Sequence, residues 1–485
     1  MRYTSFPVIK ASEMASIEKK SIEEGADSEA YMDRAASEIA YHLFSRLQDK
    51  KKIALLIGKG NNGGDAFQVG TLLQEKGFEV TAYLLTPLSE TSSLCQKKGK
   101  AFSGLTKNLD ALDPSSYEVL IDGLFGTGFQ GEVKEPIRSL FKKINAQKKP
   151  LYAIDIPSGL SGDTGVASCA LLATETFALG SAKTGFFHCN GYEYIGKLTV
   201  VDFGLDPKYF DLVPKEAYLI DETSIKKSLP NPKRTQHKYE AGYVLALAGS
   251  PGMPGAAILA TKAALRSGAG IVRLFHPEKM EEELSNAPVE LVRSTHLEEI
   301  FKEAKRAKSL LIGPGLSRTE EAKKRFDTIF SKINLPTVID ADGLYFLSEK
   351  EWEGHEKLVL TPHRQEMSRL LKKDEFTIQE CQAFVDQKKC ILVLKGAPTW
   401  IFHPDGEPYI STWGDPGMAT AGTGDVLTGI IAALLAKSLS PLEAALLGVY
   451  IHGRCGELAA ERLTSRSLIA SDLIDQLATF RLTES

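Results

Sequence analysis

The chain runs to 485 residues, 43% hydrophobic and 25% charged, longer than one hydrophobic core usually spans, so two domains of an ordinary soluble globular protein are expected. A formal net charge of -4 leaves no basic excess to attract nucleic acid or an anionic membrane. No apolar run approaches the length of a membrane span.

The opening stretch Met1–Val8 lacks the apolar core of a secretory leader. Six cysteines (Cys95, Cys169, Cys189, Cys381, Cys390, Cys455) show no CxxC or metal-finger spacing. Free thiols in a reducing cytoplasm are the expectation. Residues 11–48 carry a helical pattern broken near Gly25, which predicts two helices ahead of a sheet. The run Lys52–Ile57 is apolar without alternation, as a strand covered on both faces should be, and it ends in Gly58-Lys59-Gly60-Asn61-Asn62-Gly63-Gly64-Asp65. Similar runs at Val80–Leu85, Val119–Ile121, Leu151–Ile156 and Leu198–Phe203, spaced widely enough for helices, predict a parallel, doubly wound α/β sheet.

In such sheets ligands collect at the carboxyl ends of strands. Polar residues stand there: Asn61, Asn62 and Asp65; Asp122 and the glycine-rich 123–132; Asp155 and the segment through Asp163. Each fragment alone also reads as a cap or a turn. Three converging on one sheet edge suggest a site whose Asn, Asp and Ser oxygens suit a hard cation and whose glycine loops suit a phosphorylated ligand.

Residues 204–236 change character, with Pro207, Pro214, Pro230, Pro232 and the basic Lys226, Lys227, Lys233 and Arg234, and read as a surface connection. The domain boundary is placed at 215/216. Beyond it the same grammar returns. Val244–Ala248 runs into Gly249–Ala257 and a small-residue helix through Arg266, and further strands are read at Ile271–Phe275, Ser309–Ile312, Thr337–Ile339, Leu358–Leu360 and Ile391–Leu394. After them come Gly313–Leu316, Asp340-Ala341-Asp342-Gly343, Thr361-Pro362-His363 and Lys395-Gly396-Ala397-Pro398-Thr399. His363 reads equally as a ligand contact or a core or turn histidine, and Lys395 as a phosphate contact or a snorkelling chain. Asp340 and Asp342 either hold a divalent metal or have one member capping a helix, and a role supporting the site is the expectation.

Gly417–Asp425 closes the series and runs straight into the apolar Val426–Ala436. A glycine loop that opens a buried helix aims unpaired N–H groups at an anion and adds the positive end of the helix dipole. Asp425 then either caps that helix or exchanges a proton with a hydroxyl beside a bound phosphate.

GKGNNGGD, DGLFGTGFQGE and DIPSGLSGDTG resemble the motifs of NAD(P)H-hydrate epimerases. HKYEAG, AGSPGMPGAA, ALRSGAG, GPGL, DADGL, LTPH, LKGAPT and GMATAGTGDVLTGIIAAL resemble those of the ribokinase-like NAD(P)H-hydrate dehydratases, across most of 237–480. The resemblance implies a Rossmann-like epimerase domain at 1–215 and a ribokinase-like dehydratase domain at 216–485, together a bifunctional metabolite-repair enzyme for hydrated NADH and NADPH. By motif, Asn61, Asn62, Gly63, Gly64, Asp65, Gly126, Thr127, Gly128, Phe129, Gln130, Gly131, Glu132 and Asp155 contact the substrate of the first domain. Asp155 is its acid/base, and Asn62, Asp122 and Ser158 hold a potassium ion. In the second domain Ala256, Gly315, His363 and Asp425 contact the hydrate, Lys395, Gly396, Ala397, Pro398, Thr399, Gly422, Thr423 and Gly424 bind the adenine nucleotide, and Asp425 is the catalytic base. ADP is implied as phosphoryl donor, with magnesium. Four positions depart from the family pattern: Ala66, Gln130, Gln365 and Asp415. A cytoplasmic homo-oligomer without nucleic-acid or membrane partners is expected. Two other readings stay open on the residues alone: a small-molecule kinase of the same fold, and a first half that senses nucleotide or binds protein.

Overall fold

The computed structural model describes residues 6–129, 131–222, 225, 227–229 and 232–480. Gln130, and Lys226 and Pro230 of the connecting stretch, lie outside the described residues. Phe6–Leu219 forms one compact unit and the residues from Ile220 a second.

In the first unit seven strands pair in parallel, in the spatial order Leu105–Asn108, Glu79–Leu84, Lys52–Ile57, Val119–Gly123, Leu151–Ile154, Glu175–Leu179, Lys197–Val201. The chain winds one way from Lys52–Ile57, returns to its other side at Val119–Gly123 and winds the opposite way, so a crevice opens at the carboxyl ends of these two neighbours. Ile53, Leu55 and Ile57 pack with residues of helices Ser28–Leu47 and Asn61–Glu75, while Ala54 and Leu56 pack with Phe141 and Ile144 of helix Ile137–Ala146. Burial on both faces explains the unalternating apolar run. The first two helices are Ala11–Glu23 and Ser28–Leu47, broken at Gly25 with φ 105°.

Two strands of this sheet escape the sequence reading for physical reasons. Leu105–Asn108 is an exposed edge with no apolar run to announce it. Glu175–Leu179 begins with a buried carboxylate, tolerated because Arg46 Nε and Nη2 donate to it at 3.0 and 3.2 Å. A smaller group joins Pro7–Ile9 antiparallel to Ala217–Leu219 and parallel to Ala182–Lys183.

The second unit repeats the winding: Val292–Ser294, Ile271–Phe275, Tyr243–Leu247, Ser309–Ile312, Thr337–Ile339, Leu358–Leu360 and Ile391–Leu394 are parallel neighbours. Thr399–Phe402 and Tyr409–Ser411 extend this sheet antiparallel. Its reversal falls between Tyr243–Leu247 and Ser309–Ile312. Helix Thr423–Ala436 begins three residues before the predicted apolar start, and every residue from Val426 to Ala436 is buried. It approaches helix Pro254–Arg266 closely because Gly429 has no side chain: a Cβ there would lie 2.1 Å from the Ala260 carbonyl oxygen. Among the described residues no helix is long and apolar enough to cross a membrane.

The first crevice depends on a similar approach, since a Cβ at Gly58 would lie 1.7 Å from the Leu124 carbonyl oxygen. Gly58→Ala is therefore expected to cost at least about 2 kcal/mol and lower the melting temperature by roughly 5 °C or more. Thermal unfolding followed by circular dichroism checks this, and an unchanged midpoint would mean that the Leu124 backbone yields freely.

Candidate active sites

In the first unit a cavity of about 590 Å³ opens at the crevice. Asn61, Asn62, Asp65, Gly126, Thr127, Gly128, Phe129 and Asp155 line it, so most of the predicted contacts converge. Four predicted contacts do not. Gly63 and Gly64 are buried in the first turn of helix Asn61–Glu75, where a Cβ would meet the Gly58 oxygen at 2.4 Å and the Met32 methyl at 2.8 Å, so they let the helix sit tight. Gly131 and Glu132 are exposed and outside the lining. Gln130 lies outside the described residues. The NNGGD stretch is itself the helix N-terminus, capped by Gly60 with no side-chain bond.

Asp155 is the strained residue of this site, with φ 66° where residues carrying a Cβ seldom stay. Its Oδ1 lies 2.7 Å from Lys183 Nζ, and that fully buried ammonium also donates to the Leu179 and Ser181 carbonyls at 2.8 and 2.9 Å. Asp65 has no such match. Burial, together with the charges of Glu18 and Asp155, pushes its carboxyl well above the usual range. Glu18, also on the cavity lining, is pushed up by burial and then by Asp155. Sequence reasoning missed Glu18 and Lys183. Aromatic rings make up much of the remaining wall: Phe125 stacks on Phe129 at 4.8 Å and Tyr31 meets Phe203 edge-on at 5.0 Å.

Beside the cavity sits a knot of oxygens. Asp122 is fully buried, which pushes its carboxyl up to about 6 against the pull of the Ser158 hydroxyl and of the Ser158 and Leu124 N–H groups. Ser158 Oγ donates to Asp122 Oδ1 at 2.7 Å and accepts from the Phe125 N–H at 2.9 Å. Asn62 Nδ2 donates to the Phe125 and Ile154 carbonyls at 2.9 and 3.1 Å, which turns Oδ1 the other way, buried and without a hydrogen-bond partner among the described residues. Carboxylate, hydroxyl and amide oxygens of this kind are the donors a hard cation takes.

In the second unit helix Thr423–Ala436 is capped by Gly422 in the left-handed region, φ 94°, with no side-chain bond. Asp425 is its third residue, not its cap. Its half-buried carboxyl is pushed up to about 7, by burial first and then by the charge of Asp340, with Lys395 pulling the other way. Lys395 Nζ lies 2.7 Å from Asp340 Oδ1 and 3.8 Å from Glu366 Oε2; burial works against its charge, but these carboxylates hold its ammonium above the ordinary value. Asp340 Oδ2 accepts from Thr428 Oγ1 at 2.8 Å, and Asp342 accepts from the Ser317 N–H and Arg318 Nε at 2.9 and 3.1 Å. Both aspartates are thus engaged in support.

The same cluster gathers other predicted contacts. His363 and Lys395 pair backbone to backbone, Gly424 would bring a Cβ to 3.2 Å from Lys395 Nζ, and one at Gly315 would lie 3.0 Å from the Ala256 Cβ. Lys395 to Thr399 form the turn between two strands, where Thr399 Oγ1 donates to the Gly396 carbonyl at 3.0 Å. His363 caps helix Arg364–Leu371 through Nδ1, leaving Nε2 3.6 Å from Glu366 Oε1. The Thr423 hydroxyl is spent on the Met418 and Thr420 carbonyls, both at 3.0 Å, so only its backbone N–H is available to an anion. His452, unmarked in the sequence, meets the Thr423 carbonyl at 2.9 Å through Nε2, and burial pushes its imidazolium down to about 4.

Residues 244–479 match a family model described as NAD(P)H-hydrate dehydratase, and residues 28–185 match one described as YjeF-related protein N-terminus. A bifunctional NAD(P)H-hydrate repair enzyme of Moorella thermoacetica is 34% identical over 92% of this chain and 90% of its own length. The chain belongs to the bifunctional NAD(P)H-hydrate repair enzyme family. A member from Coxiella burnetii is likewise 34% identical, over 95% of this chain and 96% of its own. A solved ADP/ATP-dependent NAD(P)H-hydrate dehydratase from Bacillus subtilis is 32% identical, covers 54% of this chain and 96% of its own, and superposes with a TM-score of 0.45.

Two departures from the pattern of the repair-enzyme family find their explanation in the packing. Ala66 is accommodated because its neighbour Gly123 has no side chain: a Cβ there would lie 2.5 Å from the Ala66 methyl. Asp415 Oδ1 accepts from the Gly417 N–H at 2.8 Å and Oδ2 from Ser465 Oγ at 2.9 Å, pinning the start of the glycine loop.

The Asp425 shift has a consequence for stability. A carboxyl raised from 3.8 to about 7 on folding favours the fold below the lower value, and that contribution is lost as pH climbs through about 7. Asp425→Asn is expected to melt higher than the unsubstituted chain at about pH 8, with the gap narrowing toward about pH 4. Melting curves across that range check it; equal midpoints throughout would mean that the carboxylate is adequately solvated.

Proposed function

We propose that this chain repairs hydrated NADH and NADPH, with residues 1–215 interconverting the two epimers of the hydrate and residues 216–485 dehydrating the S epimer at the expense of ADP. The observation that carries the reading is Asp425, a carboxyl pushed up to about 7 in the first turn of a glycine-capped helix, beside Lys395. A base poised near neutral pH next to an anion site is what phosphorylation of a substrate hydroxyl requires.

In the second unit Asp425 takes the proton of the ring hydroxyl as its oxygen attacks the terminal phosphoryl group. The first-turn N–H groups from Gly422 to Gly424 and the Lys395 ammonium stabilise the charge on that group. The ring hydroxyl, a poor leaving group, then departs as phosphate, the neighbouring ring carbon gives up its proton to solvent as the ring regains its double bond, and AMP is the other product. His363 Nε2, Ala256 and Gly315 hold the hydrate, and the turn Lys395–Thr399 holds the adenine nucleotide. Magnesium would enter with the phosphates, adding positive charge there, since Asp340 and Asp342 are already engaged by protein donors.

In the first unit Asp155 moves protons at the hydroxyl-bearing carbon while Asp65 and the stacked Phe125 and Phe129 seat the ring. A potassium ion fits Asn62 Oδ1, Asp122 and Ser158, on the strength of the orphaned amide oxygen. Bound there, it would supply a fixed positive charge at the cavity edge.

The test is one assay on the intact chain: mixed epimers, with and without ADP, followed by return of dihydronicotinamide absorbance. Complete recovery with ADP is expected. Asp155→Asn should consume one epimer and stall, whereas Asp425→Asn should epimerise yet dehydrate about 10²- to 10⁴-fold more slowly. Because the Asp425 carboxyl must be ionised to accept a proton, dehydration kcat/KM should fall about tenfold per pH unit below about 7. No ADP-dependent recovery would overturn the reading.

A further inference from the structure

We propose that Glu18 is the second proton-transfer group of the epimerase site, the partner of Asp155 in inverting the hydrated carbon; this rests on the epimerase reading above. Glu18 comes from helix Ala11–Glu23, outside the sheet, and lines the same cavity as Asp65 and Asp155. Among the described residues its side chain makes no ion pair and accepts no hydrogen bond.

The charges that face Glu18 explain why it differs from Asp155. From the sheet come Asp155 and Lys183, already matched to each other at 2.7 Å. From helix Asn61–Glu75 comes Asp65, itself buried and unmatched. Lys59, before that helix, lines the cavity, while Lys98 of helix Ser93–Ala101 is committed to Glu29 and Asp33 at 3.2 and 2.5 Å. On its own helix Lys19 pairs with Glu23 in solvent. Glu18 is thus a half-buried carboxyl whose acid form is favoured by burial first and by the Asp155 charge second. One carboxyl matched by an ammonium and another left without one is the arrangement of a base and an acid sharing a site.

Inversion needs such a pair. Hydration of an enamine places the hydroxyl on the carbon next to the ring nitrogen. Glu18 gives its proton to that hydroxyl, the C–O bond breaks, water leaves, and the nitrogen lone pair closes a C=N bond. A water then attacks the other face, the C=N pair returns to nitrogen as the new C–O bond forms, and Asp155 takes the proton of the incoming water. One water departs and one arrives, and a single proton passes from Glu18 to Asp155. The reverse inversion returns it, so no co-reactant is required.

The experiment follows epimer exchange by NMR on the full chain in ¹⁸O-labelled water across a range of pH. In the unsubstituted chain each inversion should carry in one solvent oxygen, and kcat should decline as rising pH strips Glu18 of its proton. Glu18→Gln should slow exchange about 10²- to 10⁴-fold with little change in KM and abolish the high-pH decline, while Glu18→Asp should recover part of the rate. An Glu18→Gln rate within about twofold of the original, or inversion without oxygen exchange, would overturn the proposal. If the Gln variant melts early, oxygen exchange and the high-pH limb of the unsubstituted chain decide. Absence of any epimerisation by the unsubstituted chain would instead overturn the epimerase reading.

Discussion

Each unit buries more carboxylates around its crevice than it has lysines to match. In the first, Lys183 neutralises Asp155 at 2.7 Å and leaves Asp65 and Glu18 to burial. In the second, Lys395 neutralises Asp340 at 2.7 Å and leaves Asp425. A buried charge without a partner costs several kcal/mol unless it takes up a proton, so the unmatched groups shift toward the acid form. Such groups hold a proton more readily than an ordinary carboxyl, as proton-transfer chemistry demands.

The winding order makes that imbalance possible. At a reversal of strand order two neighbouring strands send their helices to opposite faces, and no connection covers their carboxyl ends. Side chains placed there are enclosed by loops yet still reach a ligand. The glycines do the enclosing: Gly58 brings the Leu124 backbone over the first strand end, and at Gly313 a Cβ would lie 1.8 Å from the Asp340 oxygen, so the strand carrying Asp340 closes on its neighbour. Backbone this tightly packed fixes the matched ion pairs in register, and the unmatched carboxyls are left without a protein ammonium to pair with.

The groups legible in the sequence are those whose signal is local. Asp122, Asp155 and Asp340 stand immediately after apolar runs with a glycine soon following, Asp425 stands between a glycine and the apolar run it opens, and period and punctuation suffice to find them. The residues that set their chemistry are not local. Lys183 reaches Asp155 through the short strand Ala182–Lys183, which pairs with Pro7–Ile9 from the far end of the unit. Glu18 lies on a helix whose pattern of Glu and Lys reads as a solvated face, and His452 sits mid-helix beneath the anion loop. Conversely, Gly63 and Gly64 are also needed for close packing and the Thr423 hydroxyl is taken by two carbonyls, because a motif fixes which residues are near a ligand without saying which atoms face it.

The helices differ in how their N-termini are closed, and Ile137–Ala146 and Pro254–Arg266 too lack a side-chain cap bond. Ser28–Leu47, Ser93–Ala101, Glu320–Phe330, Ile378–Lys388 and Pro441–Arg462 are closed by Asp27, Ser92, Thr319, Thr377 and Ser440, whose side chains accept first-turn N–H groups. Asn61–Glu75 and Thr423–Ala436 are capped by Gly60 and Gly422, which can accept none. A side-chain cap contributes roughly 1 kcal/mol, and forgoing it leaves the orphan N–H groups and the positive end of the dipole to a ligand. A side-chain cap would satisfy those groups itself and shut the site. Moved three residues into the helix, as Asp425 is, the carboxylate leaves the N–H groups free for a phosphoryl group and keeps its own oxygens free for a proton, so anion site and base occupy one turn without cancelling each other.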